Sequence, residues 1–262
     1  MELLSNQTNK GKVYLVGAGP GDPELLTVKA LKTLRKADVV FYDDLVSPRI
    51  LGVCRKNIQL VYVGKRLGVH SCLQDEINSK LIQAANEFKT VVRLKGGDPS
   101  IFGRVGEEFA ALLAEGIQCE IVAGITTASG VASSLGFPLT HRDYAREILF
   151  LSGHKKDGAN SEGFKNLNCI GKTIVVYMGL NSIGLIVSEL LDAGNVKDTP
   201  IAVIQNATLD TERVFTGNLN SIQSIIEENE VKSPAILVIG EIVRFYREME
   251  NLKNDCSSIL TP

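Results

Sequence analysis

The sequence predicts an α/β protein with a mostly parallel sheet in its first half and a mixed sheet in its second half. Two observations lead to this fold class. Short β-rich runs alternate with amphipathic segments up to residue 122, and strands separated by helices favour parallel pairing with right-handed crossovers. Further along, two adjacent strand-like runs flank residues 206–210. That pattern is typical of a hairpin, which makes the second sheet mixed.

The individual elements follow from hydrophobic periodicity. In the first half, strands are expected at 12–17, 38–42, 59–63, 89–94 and 118–122, and helices at about 77–88 and 104–115. An earlier helix has two possible starts, at Asp22 with Pro23 in the first helical position, or at Thr27. In the second half, strands are expected at 146–151, 172–178, 200–205, 211–216 and 234–239, and helices at about 182–192 and 219–229.

A shift toward small residues at 123–130 predicts a domain boundary, with a small-residue helix following it. We expect an N-terminal α/β domain over 1–122 and a C-terminal α/β domain over 123–247. The polar tail 248–262 is expected to fray.

Composition excludes several classes of protein. A net charge of −2 over 262 residues gives no basic field that would favour nucleic acid. No apolar run approaches the roughly 20 residues that span a bilayer, and the polar N-terminus lacks the apolar stretch of a signal peptide. The five cysteines form no C-x-x-C and the three histidines are scattered. We therefore expect reduced thiols in a cytoplasmic protein, and no metal site.

The tripeptide Gly-Asp-Pro occurs twice, each time after an apolar run. The first copy ends the segment 17–23 (GAGPGDP), and the second lies within 96–99 (GGDP). Glycines at the carboxyl end of a strand let backbone approach a ligand closely. Two such turns therefore predict a cleft for one small molecule.

A dinucleotide is one candidate ligand, but the first turn suits it poorly. Its glycines run G-x-G-x-G rather than G-x-G-x-x-G. Pro20 removes a backbone N–H, and Asp22 places a negative charge where pyrophosphate would bind. A nicotinamide or flavin site and a purely structural turn remain as alternatives.

Basic residues in loops rich in glycine and proline provide a second signal. They are Lys65, Arg66, Arg104, Arg142 and Arg146. Arginine forks suit carboxylates. The alternative is that these side chains only solvate the surface.

Several segments together resemble the uroporphyrinogen-III C-methyltransferases of the tetrapyrrole methylase family. They include VGAGPGD (16–22), VGKR (63–66), RLKGGDP (93–99), IFGR (101–104), PLTHRDYA (138–145) and YMGL (177–180). The similarity spans roughly residues 12–245 in order. It implies two α/β domains with S-adenosylmethionine between them, and a homodimer.

The resemblance also implies a reaction and a set of site residues. Uroporphyrinogen III would be methylated twice to give precorrin-2 by way of precorrin-1, with S-adenosyl-L-homocysteine as the other product. Asp43 matches the proton acceptor and Lys65 the proton donor. The substrate's eight carboxylates would be met by Arg104 and Arg142, with Glu107 beside them. The cofactor would be bound by Pro20, Gly96, Gly97, Asp98, Ile101, Thr126, Thr127, Met178 and Ala207.

Small departures from the family pattern leave this machinery intact. Ser100 replaces an aromatic residue, Thr127 an alanine and Ala207 a common glycine. No dehydrogenase or chelatase extension precedes residue 12, so a single-function form is expected. Three alternatives stay open: another cobalamin-pathway precorrin C-methyltransferase, a nicotinamide-dependent oxidoreductase, and a non-catalytic sensor of the same ligands. The product could feed cobalamin, sirohaem or haem d1.

Overall fold

The computed structural model of the chain describes residues 10–64, 74–136, 138–154 and 163–259, with side chains up to Leu252. The chain forms two compact units, Met1–Thr127 and Ala128–Pro262. Each is an α/β layer structure around its own five-stranded sheet.

The sheet of the first unit has the strand order β3-β2-β4-β1-β5, and all of its pairs are parallel. Its strands are β1 (Lys12–Gly17), β2 (Val39–Tyr42), β3 (Gln59–Tyr62), β4 (Thr90–Lys95) and β5 (Cys119–Val122). Its helices are α1 (Val28–Lys36), α2 (Pro48–Leu51), α3 (Gln74–Glu87) and α4 (Val105–Ala114). The prediction of a mostly parallel sheet is confirmed.

Both faces of this sheet are buried, which explains the nearly continuous apolar runs of its strands. Val13, Leu15 and Val91 pack with α3 and α4 on one face. Val16 and Val92 pack with α1 and α2 on the other.

The chain uses both of the predicted helix starts. Asp22 Oδ1 accepts the N–H of Glu24 at 3.0 Å and caps a short 3-10 helix, Pro23–Leu25. Thr27 Oγ1 accepts the N–H of Ala30 at 3.1 Å and caps α1. The acidic group of Asp22 therefore has a local structural use.

The sheet of the second unit has the order β6-β7-β10-β8-β9. Only β6 and β7 pair in parallel among these neighbours, and β8 and β9 form the predicted hairpin. Its strands are β6 (Glu147–Ser152), β7 (Lys172–Tyr177), β8 (Pro200–Gln205), β9 (Arg213–Asn218) and β10 (Ala235–Ile239). Its helices are α5 (Thr127–Leu135, starting at the division), α6 (Ile183–Asp192), α7 (Ile222–Glu228) and α8 (Ile242–Ile259), with a 3-10 turn at Leu180–Ser182. The prediction of a mixed sheet is confirmed.

Helices α6 and α7 cover one face of this sheet, and α5 and α8 cover the other. The structure corrects the expectation that the chain frays after Arg247, because α8 continues to Ile259. Ile242, Val243 and Tyr246 are buried against the sheet. Their helical spacing is the local signal for α8. Within the described ranges, no helix is both long and apolar enough to cross a bilayer.

The two Gly-Asp-Pro turns pair with each other at the carboxyl ends of β1 and β4. Gly19 N donates to Gly97 O at 3.1 Å, and Gly97 N donates to Gly19 O at 2.7 Å. Gly97 adopts φ +68°, a conformation that favours glycine.

A third segment, which follows β5, joins this contact. A Cβ on Gly124 would lie 2.2 Å from Gly97 O, and a Cβ on Gly17 would lie 2.6 Å from Gly124 Cα. We call Gly17, Gly97 and Gly124 the glycine junction. It brings the ends of three strands to one place.

We predict that Gly124→Ala lowers the free energy of unfolding by about 3 kcal/mol or more, because backbone atoms would have to move apart. Urea denaturation measures this change. The control is Gly106→Ala in α4, where a Cβ meets nothing within 4 Å. That variant is expected to gain about 0.5–1 kcal/mol from helix propensity. Equal midpoints for Gly124→Ala and the unmodified chain would contradict the prediction.

Candidate functional site

The predicted site residues fall in both units. The first unit holds Asp43 and most of the predicted cofactor residues, together with Arg104 and Glu107. The second holds Arg142, Met178 and Ala207. Lys65 lies outside the described residues.

Asp98 is fixed directly beside the glycine junction. Its Oδ2 accepts the N–H of Gly124 at 3.0 Å, and its Oδ1 accepts the N–H of Ser100 at 2.8 Å and the Ser100 hydroxyl. Ser100, which departs from the family pattern, therefore helps to orient this carboxylate. Asp98 O also accepts the N–H of Ile101 at 3.1 Å.

The glycines here have a reason that the sequence prediction did not include. A Cβ on Gly96 would lie 2.7 Å from the Cβ of Leu45, and the junction glycines contact one another. Close packing between segments of this chain thus explains why glycine occupies positions 17, 96 and 124. The sequence had suggested close approach of the backbone to a ligand.

Asp43 follows β2 and is partly exposed. Its Oδ1 accepts the N–H of Leu45 at 3.1 Å, and its Oδ2 accepts from Arg93 Nη2 at 2.6 Å. The Asp43 carboxylate is therefore held in place from two sides at the carboxyl end of its strand.

Arg93 is part of a buried charge cluster that we define as Arg93, Lys95 and Glu108. Glu108 on α4 is completely buried. Its Oε1 accepts from Lys95 Nζ at 3.0 Å and from Arg93 Nε at 3.4 Å. Gln74 Nε2 donates to the same oxygen at 3.3 Å. Glu108 Oε2 has no hydrogen-bond partner among the described residues.

The charge state of Lys95 depends on this cluster. Burial, and then repulsion from Arg93, lower the pKa of Lys95, while Glu108 opposes the shift. The carboxylate of Glu108 thus favours the charged form of Lys95.

The sequence-based predictions did not include Glu108, Arg93 or Lys95. A signal was present, because Arg93 and Lys95 stand two residues apart in an otherwise apolar strand. Residues at that spacing lie on the same face of a strand, where two buried cations need an anion from the covering helix.

Arg104 and Glu107 form a bidentate pair on the surface. Arg104 Nε and Nη2 bind Glu107 Oε1 and Oε2 at 2.8 and 2.6 Å, and both side chains are more than half exposed. The bond to Glu107 raises the pKa of Arg104. The structure therefore brings together two predicted substrate residues.

Met178 and Ala207 lie at the end of the second sheet where β7 and β8 finish. Met178 follows β7 and Ala207 follows β8, and both strands run antiparallel to β10 between them. Asn206 N donates to Pro234 O at 3.0 Å, just before β10.

Arg142 lies at the opposite end of the same sheet, where β6 and β7 begin. It precedes β6, whose first residue pairs with the first residue of β7. A strand of this length spans about 17 Å. Within the second unit, the structure therefore does not bring Arg142 next to Met178 and Ala207.

Backbone strain marks several of the candidate segments. Among the described residues, the non-glycine residues with positive φ are Phe102, Arg104, Met178, Asn206, Thr208 and Glu230. All but Glu230 belong to candidate segments or flank Ala207. Such conformations cost about 1–3 kcal/mol each and cluster at functional sites. They are a signal that the sequence does not display.

The described side chains offer little else for chemistry. No group of three or more His, Cys, Asp or Glu residues that could hold a metal occurs in the described part of the chain. Cys54, Cys119 and Cys169 are free, and burial raises the pKa of Cys119 and Cys169 to about 11. These two thiols stay protonated near neutral pH.

The profile of the Tetrapyrrole (Corrin/Porphyrin) Methylases matches residues 12–223. The match covers most of the 262 residues, so the chain belongs to this family of enzymes. The resemblance given by the sequence motifs is thereby confirmed.

Among curated proteins, the chain is similar to siroheme synthases. A siroheme synthase of Pseudomonas fluorescens (strain Pf0-1) is 48% identical over 239 residues, which are 91% of this chain and 52% of that protein. The chain spans about half the length of the curated relatives it matches.

Solved structures agree with this placement. The uroporphyrin III C-methyltransferase of Thermus thermophilus is 41% identical with a TM-score of 0.77, and the match covers 90% of this chain and 100% of that one. A structure of that protein complexed with S-adenyl homocysteine gives the same values. A cobalt precorrin-4 methyltransferase is 28% identical with a TM-score of 0.79, covering 92% and 99%.

We predict that Glu108→Gln lowers the free energy of unfolding by about 3–5 kcal/mol, because it leaves buried cations without their anion. The matched control is Glu107→Gln on the same helix. It removes the charge of the exposed ion pair with Arg104 and should cost about 1 kcal/mol or less. Chemical denaturation of both variants tests the difference, and equal losses would contradict the role of the buried charge cluster.

Proposed function

We propose that the chain is an S-adenosylmethionine-dependent C-methyltransferase that methylates uroporphyrinogen III twice, at C2 and C7. The product would be precorrin-2, formed by way of precorrin-1. The observation that carries the proposal is the 41% identity over the whole length of a uroporphyrin III C-methyltransferase, one structure of which holds S-adenyl homocysteine.

The geometry around the glycine junction fits the methyl donor. Asp98 is oriented by Gly124 and Ser100, and a carboxylate has acceptor capacity left for ribose hydroxyls. Pro20 and Asp22 would disfavour a phosphate, whereas this donor is a cationic sulfonium. In the proposal the donor contacts Pro20, Gly96, Gly97, Asp98, Ile101, Thr126, Thr127, Met178 and Ala207.

When bound, the donor would supply an already activated methyl group. A nucleophilic ring carbon of the acceptor would bond to that methyl carbon while the methyl–sulfur bond breaks and S-adenosyl-L-homocysteine leaves. Positioning of the two reactants would then supply most of the acceleration. A proton must still leave the acceptor. We assign its acceptance to Asp43, whose carboxylate is held in place by Arg93 Nη2 at 2.6 Å. The proposal gives the donor role to Lys65.

The acceptor carries eight carboxylates, and we assign their binding to Arg104 and Arg142, with Glu107 orienting Arg104. The pair with Glu107 uses Nε and Nη2 of Arg104, and a guanidinium has five N–H donors. Arg104 can therefore bind a carboxylate while it stays paired. Because the carboxylates surround the rim of a wide macrocycle, its anchors need not adjoin the methyl donor.

Two further proposals concern the protein as a whole. We propose that it acts in the cytoplasm as a homodimer, without a bound metal and without nucleic acid or membrane as a partner. Size-exclusion chromatography with light scattering tests the dimer.

We predict that incubation with S-adenosylmethionine and uroporphyrinogen III under anaerobic conditions yields a product that carries two additional methyl groups, each in place of a lost proton. Mass spectrometry and absorbance detect it. Omission of the methyl donor is the control. Absence of a methylated product, together with binding of NAD(P), would overturn the proposal in favour of an oxidoreductase. A methylated product with a different precorrin acceptor alone would favour another C-methyltransferase.

We predict that Asp43→Asn lowers kcat by about a hundredfold or more, the usual contribution of a positioned acid–base group, because the amide cannot take the proton. The dissociation constant for S-adenosylmethionine, measured by calorimetry, should change much less. Equal effects on turnover and cofactor affinity would instead make Asp43 a binding residue.

A further inference from the structure

We propose that α8 braces the loop that carries Arg142, through Phe245 and Glu248, and so sets the affinity for the carboxylate-bearing acceptor. The inference rests on the proposed function, in which Arg142 binds that acceptor. Phe245 and Glu248 lie beyond residue 223, where the family match ends, and Glu248 lies in the segment expected to fray.

The loop itself forms a closed turn. His141 N donates to Ala145 O at 2.8 Å, and Ala145 N donates to His141 O at 2.9 Å. Within the turn, His141 Nδ1 accepts the N–H of Asp143 at 3.2 Å. Arg142 is the exposed second residue of this turn, and its backbone O accepts from Arg146 Nε at 3.2 Å. The turn therefore sets the position from which the Arg142 side chain extends.

Both ends of the loop are tied to the start of β7. Thr173 Oγ1 donates to Leu139 O at 2.6 Å, and Arg146 N donates to Gly171 O at 2.9 Å. Leu139 is buried in the same core as α8. These bonds fix the two ends of the loop. They do not involve residues 141–145, which form its tip.

Helix α8 holds the tip. Phe245 lies with its ring centroid 4.9 Å from His141 and 5.4 Å from Tyr144, and the two loop rings lie 5.1 Å apart. One turn further on, Glu248 Oε2 accepts the Tyr144 hydroxyl at 2.9 Å. Residues three apart share a helix face, so one face of α8 contacts both His141 and Tyr144.

The helix can act as a brace because it is itself anchored. Ile242, Val243 and Tyr246 are buried on the sheet. Arg247 Nη2 donates to Gly217 O at 3.1 Å. Tyr144 and Phe245 pack against the same core. A side chain presented from a held turn loses less conformational freedom on binding, which raises affinity.

The brace makes a specific kinetic prediction. Glu248→Ala should raise KM for uroporphyrinogen III about fivefold, the value of one net hydrogen bond, with kcat and the cofactor dissociation constant unchanged. Tyr144→Phe keeps the ring and removes the same bond, so it should match. Glu248→Gln keeps an acceptor oxygen and should restore most of the affinity.

The matched control is Glu241→Ala, at the residue that precedes α8, whose carboxylate pairs with Arg244 at 2.6 Å. Its KM should stay at the value of the unmodified chain. A merely structural role predicts a different pattern, in which Glu248→Ala lowers the melting temperature and changes KM and kcat together. That pattern would overturn the inference.

A double-mutant cycle tests whether the brace acts through Arg142. If it does, Glu248→Ala raises KM less than twofold in an Arg142→Ala background. A full fivefold increase there would overturn the inference.

The two single variants, Arg142→Ala and Glu248→Ala, distinguish failure of this inference from failure of the proposed function. If Arg142→Ala raises KM and Glu248→Ala does not, the brace is wrong and the assignment of Arg142 stands. If Arg142→Ala leaves KM unchanged, both fall, while formation of the doubly methylated product still decides the reaction itself.

Discussion

The ends of β4, β1 and β5 meet at a contact between backbones, and the candidate site of the first unit depends on it. A Cβ on Gly124 would lie 2.2 Å from Gly97 O, so any side chain there would force these segments apart. The bond from Gly124 N to Asp98 Oδ2 is made across this contact. The position of the Asp98 carboxylate is therefore a consequence of the missing side chains. Beside this contact, the two Gly-Asp-Pro turns pair with each other through Gly19 and Gly97.

A second constraint is electrostatic. Buried ion pairs contribute little net stability, because desolvation offsets their attraction, so Arg93, Lys95 and Glu108 are poorly explained as a stabilising device. Arg93 links this cluster to Asp43 at 2.6 Å. With Glu108 behind it and Asp43 in front, the Arg93 guanidinium is held from both sides. The buried charges thus fix the partly exposed Asp43 carboxylate at the end of β2. The pair of Arg104 and Glu107 is exposed to solvent, where ion pairs are weak, so it holds its two side chains less firmly.

Much of the fold could be predicted because its signals are local. Strands that alternate with helices indicated a mostly parallel sheet, and the hairpin around residues 206–210 followed from two adjacent strand patterns. The competing starts at Asp22 and Thr27 could not be resolved, since each has a sound cap and the chain uses both. Helix α8 was missed because the polar residues after Arg247 concealed the apolar spacing that begins at Ile242.

The sequence by itself determined the class of each sheet, the order of the elements and the residues that stand at the strand ends. Periodicity and turn chemistry act over a few neighbouring residues, so one chain suffices to show them. Only the tertiary structure decided that Glu108 is buried between two cations, that Ser100 orients Asp98, and that Arg142 and Met178 lie at opposite ends of one sheet along the strand direction. Those facts depend on strand order and strand direction, which bring together residues that are distant in the chain.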